Sequence, residues 1–308
     1  MRRAMSISGR VLITIGILTL LFVAYELWGT GIWTARAQAR LKHEFAREDA
    51  RLHASTTTVR DAPARRSTPT TIDPRLFAAP AEGVPIGDIT IPSIGIHGWE
   101  VTQGDSQADL ANGPGHDMTT PMPGQLGNVF IPGHRTTHGA PFGNIDQIKV
   151  GDDIFLHTHA GTFRYRMFEQ LIVKKTDVWV AAPTADAQLT LASCHPKGSS
   201  SHRMVVKAKL VVEHNGAKPR RATTPLTSAG RSRSLLPDES DRTSLDPPGP
   251  PLSPAVLWGA LAALAGALWW WAFRRWRLPL TWMAGAVPFL AVLFVFYTYL
   301  ERVLPNGY

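Results

Sequence analysis

The chain has 308 residues, a formal net charge of +8 and a single cysteine. One cysteine excludes an intramolecular disulfide, so Cys194 is a small buried side chain, an intermolecular link or a reactive thiol. The positive charge lies mostly in the chain ends, the linkers and the Arg274–Arg277 segment, with no single basic face interleaved with aromatics. This distribution argues against nucleic-acid binding and suits attraction to an anionic membrane or cell-wall polymer better.

The first predicted element is a transmembrane helix in residues 1–33. Three arginines precede an apolar stretch, Val11–Trp33, that approaches the roughly 20 residues needed to cross a bilayer. The basic tail favours a cytoplasmic N-terminus. The A-x-A patterns at 35–39 are compatible with signal-peptide cleavage, but the length of the apolar run and its tryptophans favour a retained anchor.

Two linkers are predicted on either side of the central region. Residues 34–82 begin as a mixture of good helix formers, which favours a polar helix to about residue 54, and continue as a Thr-, Pro-, Ala- and Arg-rich linker. Residues 215–254 form a second linker, dense in Pro, Ser, Arg and Asp. Because neither linker can bury enough apolar surface to offset its ordering entropy, both are interpreted as tethers that hold a folded domain off the bilayer.

Residues 255–300 predict a transmembrane hairpin. Two stretches, Ala255–Phe273 and Thr281–Leu300, are apolar all round, which is unlike the surface helix of a soluble domain. The basic Arg274–Arg277 loop between them is expected on the cytoplasmic side. Residues 301–308 would then form an external tail.

Residues 83–214 have the composition and punctuation of one soluble β domain. Short β-prone runs separated by Gly and Pro turns argue for a sandwich or barrel. These runs are Ile89–Ile91, Val129–Ile131, Asp153–Leu156, Thr162–Phe168, Leu171–Val173, Gln188–Cys194 and Met204–Val212. The last run alternates most clearly, and the same alternation places Arg203 on the solvent-side face with Lys207 and Lys209.

Cys194 ends one of these predicted strands, where a side chain can project from a rigid scaffold into a groove. A thiol becomes a nucleophile when a nearby cation lowers its pKa, a histidine can then act as general acid and base, and an arginine can stabilise an oxyanion. Taken one at a time, each residue type has an ordinary structural explanation: a buried core cysteine, a turn histidine or an edge-strand arginine.

The motifs around these residues resemble those of sortases. Residues 133–152, beginning Gly133-His134-Arg-Thr-Thr-His138-Gly, resemble the family's histidine segment. Residues 190–203, with Leu-Ala-Ser-Cys194-His-Pro and Arg203, resemble its cysteine and arginine segments. The motifs occur in the family's order within residues 85–213, and their residues are similar to those of class E sortases of high-GC Gram-positive bacteria.

The resemblance implies a mainly β fold. The catalytic domain would be a closed sortase-type barrel of about eight strands at residues 83–214. It would be tethered by the N-terminal transmembrane helix and the C-terminal hairpin, in the cell membrane with the catalytic domain outside the cytoplasm.

The resemblance also implies an activity and its residues. Cys194 would be the nucleophile, His134 the general acid and base, and Arg203 the residue that positions substrate and stabilises the oxyanion. Such an enzyme cleaves a C-terminal sorting signal between Thr and Gly, forms a thioacyl enzyme and transfers the protein to a cell-wall amine. Its partners would be sorting-signal-bearing secreted proteins, a peptidoglycan precursor or other amine acceptor, and the membrane, with no cofactor, metal or nucleic acid.

Three further residues are candidates for substrate binding. Ser193 stands where the family more often has Thr, which keeps the hydroxyl. His138 occupies a position where class E members often carry Tyr, so the preferred sorting signal is left open. Thr190 lies upstream in the cysteine segment.

Other chemistries fit less well. His157 and His159 lie two apart on a predicted strand, yet the histidine spacings match no standard zinc pattern, and the aspartates at 105, 109 and 117 do not resemble an EF-hand. A papain-type hydrolase would need a helix-borne Cys before its His. The remaining alternative is a non-catalytic sortase-like barrel used for binding or assembly in the envelope.

Overall fold

The computed structural model describes residues 2–57, 74–211, 220–221, 252–273 and 279–303. They divide into two compact units, one within residues 27–237 and the other within residues 1–26 and 238–307. The predicted Arg274–Arg277 loop, residues 58–73 of the first linker and most of the second linker lie outside the described residues.

Among its described residues, the helical unit contains three helices, α1 at Arg2–Ala24, α4 at Leu252–Phe273 and α5 at Pro279–Val303. Its buried centre is aromatic, because Tyr25 packs against Phe294 and Tyr297. Among the described residues, two helical stretches are long and apolar enough to cross a membrane, one within Ile13–Ala54 and one at Pro254–Trp271. A shorter apolar helical stretch lies at Gly285–Leu300.

The second unit is a β-barrel with one long helix beside it. The helices are α2 at Thr30–Thr57, which follows a π-helical turn at Tyr25–Gly29, and the short α3 at Gln107–Leu110. The strands are β1 Pro85–Ile91, β2 Ile96–Gln103, β3 Gly115–His116, β4 Gln125–Pro132, β5 Asp153–Thr158, β6 Gly161–Lys174, β7 Ala187–His195, β8 His202–Leu210 and β9 Arg220–Arg221.

The strands form one sheet in the order β3-β2-β1-β5-β6-β8-β7-β4-β9. The β4–β7, β2–β3 and β4–β9 pairs are parallel and the other ladders are antiparallel. The sheet curls until its ends nearly meet, since the Asp117 amide donates to the Phe130 carbonyl at 3.0 Å and the Phe130 amide donates to Thr120 Oγ1 at 3.2 Å. The predicted mainly β barrel of about eight strands is confirmed, with β9 as a two-residue addition from the predicted second linker.

Two apolar layers fix the barrel. The interior is filled by one face of each strand, including Ile89, Leu156 and Leu191, which are fully buried. A smaller cluster lies on the outer face, where a 3₁₀ turn at Val178–Ala181 in the β6–β7 connection covers Val205 and its neighbours. Where this turn covers it, the β7–β8 ladder is buried on both faces.

Among the longer strands, the structure differs from the sequence prediction at two. The runs predicted at Thr162–Phe168 and Leu171–Val173 are one strand, β6, because a bulge between Met167 and Glu169 interrupts the alternation without ending the ladder. The strand β2 was not predicted, since its sequence, with Gly98 inside, lacks a simple alternating pattern.

Candidate active site

The ladder between β7 and β8 brings Cys194 and Arg203 together. The two residues are direct cross-strand partners, so their side chains share one face of the sheet with Cβ atoms about 4.5–5.5 Å apart. That face is the outer one, because the neighbouring Ser193↔Met204 pair points into the barrel. Cys194 is 8% exposed and contacts Leu110 of α3.

The predicted solvent exposure of Arg203 is wrong. Arg203 does lie on the same sheet face as Lys207, but its exposed fraction is only 2%. The cause is the connection from β7 to β8, because the carbonyls of Ser200 in the turn and of His202 at the start of β8 accept hydrogen bonds from Arg203 Nη1 at 2.7 and 3.0 Å. These bonds fix the guanidinium on the sheet face that Arg203 shares with Cys194.

His134 lies on the loop that follows β4, and this loop is bonded directly to the Cys194 strand. β4 runs parallel to β7 up to the Pro132↔Ala192 pair. Beyond that pair the Gly133 amide donates to the Ala192 carbonyl at 3.0 Å, and Ser193 Oγ donates to the Gly133 carbonyl at 2.7 Å. The histidine is thus placed one residue beyond a backbone segment that is tied to the residues preceding Cys194.

Arg135 adds a third tie, which the sequence analysis did not identify. Its side chain is buried, donates to the Cys194 carbonyl at 3.0 Å and to the Gly143 carbonyl at 3.1 Å, and pairs with Asp146 at 2.8 Å. One guanidinium therefore links both ends of the His134 loop to the backbone of Cys194. Its place directly after His134 in the Gly-His-Arg motif was the available signal.

The surroundings of His134 favour a neutral imidazole. Burial, and secondarily the neighbouring His138, lower the pKa of His134 to about 3. The His138 ring lies with its centroid 4.6 Å from that of His134, and Thr137 Oγ1 lies 3.3 Å from His134 Nδ1. Within the described part of the chain, His134 Nε2 has no hydrogen-bond partner. A neutral imidazole with this nitrogen available can accept a proton.

The three predicted substrate-binding residues occupy different positions. Ser193 and Thr190 are both fully buried: Ser193 bonds to Gly133 inside the barrel, and Thr190 Oγ1 donates to Asn128 Oδ1 at 2.7 Å. Only His138 lies partly exposed beside His134. Contact of these residues with substrate stays a prediction.

Asn128 is a further residue that the sequence analysis did not single out. Its Nδ2 donates to the carbonyls of Val180 and Ala182 at 2.9 and 3.2 Å, which holds the β6–β7 connection against the outer face of the sheet. Thr190 orients this amide. Asn128 and Thr190 therefore hold the β6–β7 connection beside β7, the strand that carries Cys194.

The remaining histidines are placed by other contacts. His159 lies in the turn after β5, not on the strand as predicted, because β5 ends at Thr158. His159 Nδ1 bonds to Asp49 of α2 at 2.9 Å, and His157 Nδ1 lies 3.2 Å from Asp88. No group of three or more His, Cys, Asp or Glu side chains suited to a metal occurs among the described residues.

Comparison with known proteins assigns the family. Residues 89–211 match the family model of the sortase domain. The chain is 30% identical to sortase SrtE2 of Streptomyces coelicolor over 224 residues, which cover 68% of this chain and 83% of that protein. The chain belongs to the sortase family. Sortases are cysteine transpeptidases, and the two motif segments that suggested the family both lie within the matched region.

The chain is similar to two further sortases of the E type. Sortase SrtE1 of Streptomyces coelicolor is 31% identical over 221 residues, which cover 68% of this chain and 58% of that protein, so this sortase spans little more than half of SrtE1. The structure of sortase E from Streptomyces avermitilis is 31% identical, with a TM-score of 0.39, over 42% of this chain and 90% of that chain. The predicted similarity to class E sortases is confirmed.

Proposed function

We propose that this sortase is a membrane-anchored transpeptidase that cleaves a C-terminal sorting signal between Thr and Gly and joins the released protein to a cell-wall amine. The observation that carries the proposal is the direct pairing of Cys194 with Arg203, next to a loop that presents His134. These three residues supply a thiol nucleophile, a proton carrier and a fixed cation.

In the first half-reaction the Cys194 thiol transfers its proton to Nε2 of the neutral His134 imidazole as sulfur attacks the threonine carbonyl carbon. The developing oxyanion is stabilised by the Arg203 guanidinium, which needs no reorganisation because the β7–β8 turn already holds it. The imidazolium formed in this step is disfavoured by its buried surroundings and returns the proton to the departing glycine amine. The C–N bond breaks and a thioacyl enzyme forms.

In the second half-reaction an amine replaces the glycine. His134, neutral again, takes a proton from the amine as its nitrogen attacks the thioacyl carbonyl. The carbon–sulfur bond then breaks and Cys194 leaves as the thiol, reprotonated from the imidazolium. The acceptor is a cell-wall amine such as that of a peptidoglycan precursor, and the donors are secreted proteins that carry the sorting signal.

The proposed location is the cell membrane, with the barrel outside the cytoplasm. The apolar helices within Ile13–Ala54 and at Pro254–Trp271 support anchoring. The arginines near the N-terminus and those between α4 and α5 support a cytoplasmic position for those segments under the positive-inside rule. The protein substrates and the acceptor would then meet the site on the outer side.

Mass spectrometry of the full chain incubated with a panel of sorting-signal peptides tests the function. We expect one peptide to add the mass of its acyl portion, ending in Thr, to Cys194, and an added amine to release it. Cys194→Ala should keep the fold and show no adduct. His134→Ala and Arg203→Ala should each retain the fold and lose most of the adduct. An adduct on the Cys194→Ala variant would overturn the assignment.

Thiol labelling separates the enzyme from a non-catalytic barrel. Since the chain has one cysteine, the rate of iodoacetamide labelling reports Cys194 alone. A catalytic thiol should label at a rate that follows a titration and changes in His134→Ala. A thiol that stays inert at every pH would support a binding or assembly role instead.

A further inference from the structure

Helix α2 presents one continuous face to the barrel. Along this face Thr30, Thr34, Leu41 and Phe45 are at most 6% exposed, and Gln38 lies between them. The spacing of three or four residues is that of one helical stripe. Helix α2 is therefore docked over most of its length, and the polar helix predicted to about residue 54 packs against the barrel.

The middle of the stripe binds backbone groups of the barrel. Gln38 Oε1 accepts from the Glu100 amide at 2.8 Å, while its Nε2 donates to the carbonyls of Glu100 and Asn112 at 3.0 and 2.8 Å. The approach is so close that a Cβ atom at Gly113 would overlap Gln38. This contact is specific, because the side-chain amide of Gln38 satisfies both the backbone N–H and the backbone carbonyl of Glu100.

One turn earlier α2 holds the segment that covers Cys194. Thr34 Oγ1 donates to the Ala111 carbonyl at 2.9 Å. Ala111 follows Leu110, the α3 residue that contacts Cys194. The side chain over the thiol is thus fixed by a hydrogen bond from α2.

At its start α2 holds the turn that carries His138. The His138 amide donates to Thr30 Oγ1 at 3.0 Å, and a Cβ built at Gly31 would lie 3.7 Å from Gly139. His138 and Ala140 have φ values of 51° and 48°. Such left-handed backbone is unfavourable for residues other than glycine and persists where surrounding contacts impose it.

We propose that α2 is a brace of the active site: Thr30 positions the His138 turn against His134, and Thr34 positions Leu110 over Cys194. The proposal rests on the proposed transpeptidase function. It makes Thr30 and Thr34 positioning residues, which contact no reacting atom and act through His138 and Leu110. Helix α2 thereby fixes two of the segments that flank the site.

The brace at Thr30 is tested in the full chain in detergent micelles. Thr30→Val removes the acceptor at constant shape, and Thr30→Ser keeps it. We expect the nuclear Overhauser contact between the His134 and His138 rings to be lost in Thr30→Val and kept in Thr30→Ser. We also expect kcat/KM for a sorting-signal peptide to fall about tenfold in Thr30→Val, since small misplacements of site groups have effects of this size.

A double-mutant cycle shows whether Thr30 acts through the His138 ring. His138→Asn removes the ring, and asparagine tolerates left-handed backbone. In that background Thr30→Val should change kcat/KM by less than about twofold, because the interaction it supports is already absent. An equal tenfold loss in both backgrounds would overturn the positioning role.

The brace at Thr34 is tested by the same single-cysteine labelling. Thr34→Val should speed iodoacetamide labelling of Cys194 about fivefold, because local opening of the cover exposes the thiol more often. The ring contact between His134 and His138 should remain. Unchanged labelling would exclude a role for Thr34 over the thiol.

Asp49→Ala is the matched control. It removes the acceptor of the bond from His159 at the far end of the stripe, about 28 Å along the helix from Thr30. It should change neither the ring contact nor the labelling rate; equal changes there would mean that any loosening of α2 disturbs the site. Because ring contact and labelling need no turnover, their outcome stands even if no sorting-signal peptide is cleaved.

Discussion

The two halves of the candidate site are placed by different means. Cys194 and Arg203 belong to a regular ladder that runs without a register shift from the Gln188↔Lys209 pair to the His195↔His202 pair. Backbone hydrogen bonds of both strands hold this half. No single side chain is needed to keep Cys194 and Arg203 opposite each other in the ladder.

The half that carries His134 and His138 lies on a loop docked against that ladder. Its position depends on individual side-chain bonds from Ser193, Arg135 and Thr30. This difference predicts which substitutions should disturb the geometry of the site. Residues that touch no substrate should matter most when they hold the docked half.

The largest effect is expected from Arg135→Met. The substitution leaves the carbonyls of Cys194 and Gly143 without their charged donor, at a cost of about 3 kcal/mol in the free energy of unfolding, and it also unpairs the partly exposed Asp146. The control is Arg166→Met, which breaks an exposed ion pair on β5–β6 and should cost less than about 1 kcal/mol. Urea unfolding followed by near-ultraviolet circular dichroism measures both. Equal losses would mean that Arg135 holds the loop no more firmly than a surface pair.

The second prediction concerns Glu100, whose backbone binds Gln38 of α2, and the pH dependence of the free energy of unfolding. Glu100 is 3% exposed, and burial, followed by the facing Asp88, raises its pKa to about 7 against the opposing effect of Lys42. Between pH 4.5 and 7 the native state therefore holds a proton that the unfolded chain has lost, so this group lowers stability as pH rises. Glu100→Gln removes that dependence.

The measurement is the difference in unfolding free energy between Glu100→Gln and the unaltered chain, since the other titrating groups cancel in it. The variant should gain on the order of 2 kcal/mol relative to the unaltered chain between pH 5 and pH 8. Glu169→Gln, at a partly exposed carboxylate paired with Lys207, should show no such trend. A difference in unfolding free energy that does not change with pH would show that the fold does not raise the pKa of the Glu100 carboxyl.

The ladder half was largely predictable from sequence. The alternation from Met204 onward defines β8, and the run before Cys194 defines β7. The exposure of Arg203 was not predictable, because alternation gives the face of a side chain and not what a neighbouring turn lays over it. The single strand β6 was missed for a related reason, since its bulge shifts the alternation by one residue.

The docked half could be recognised only by its family motif. The bonds that place it join residues far apart in the chain: Thr30 and His138 are 108 positions apart, and Arg135 and Cys194 are 59 apart. Local patterns carry no information about such pairs. Arg135 also bonds to a backbone carbonyl, which every residue has, so no residue type on the partner side could reveal the contact.

The smallest stability effect, and the most discriminating one, is expected from Ser193→Ala. Losing one buried hydrogen bond to Gly133 costs about 1 kcal/mol, whereas the loop that carries His134 loses a tie beside the nucleophile. Ser193→Ala should therefore lower kcat about tenfold with little change in KM. Ser193→Thr, which keeps the hydroxyl, should leave kcat close to that of the unaltered chain.

Thr158→Val makes the comparison decisive, because it removes a buried hydroxyl that bonds to Gly161 and Ala160 within the β5–β6 turn. Its stability loss should match that of Ser193→Ala while kcat is unchanged. If kcat instead falls alike in both variants, the loss follows general stability. If it falls only in Ser193→Ala, one hydroxyl inside the barrel sets the position of the docked half relative to the ladder.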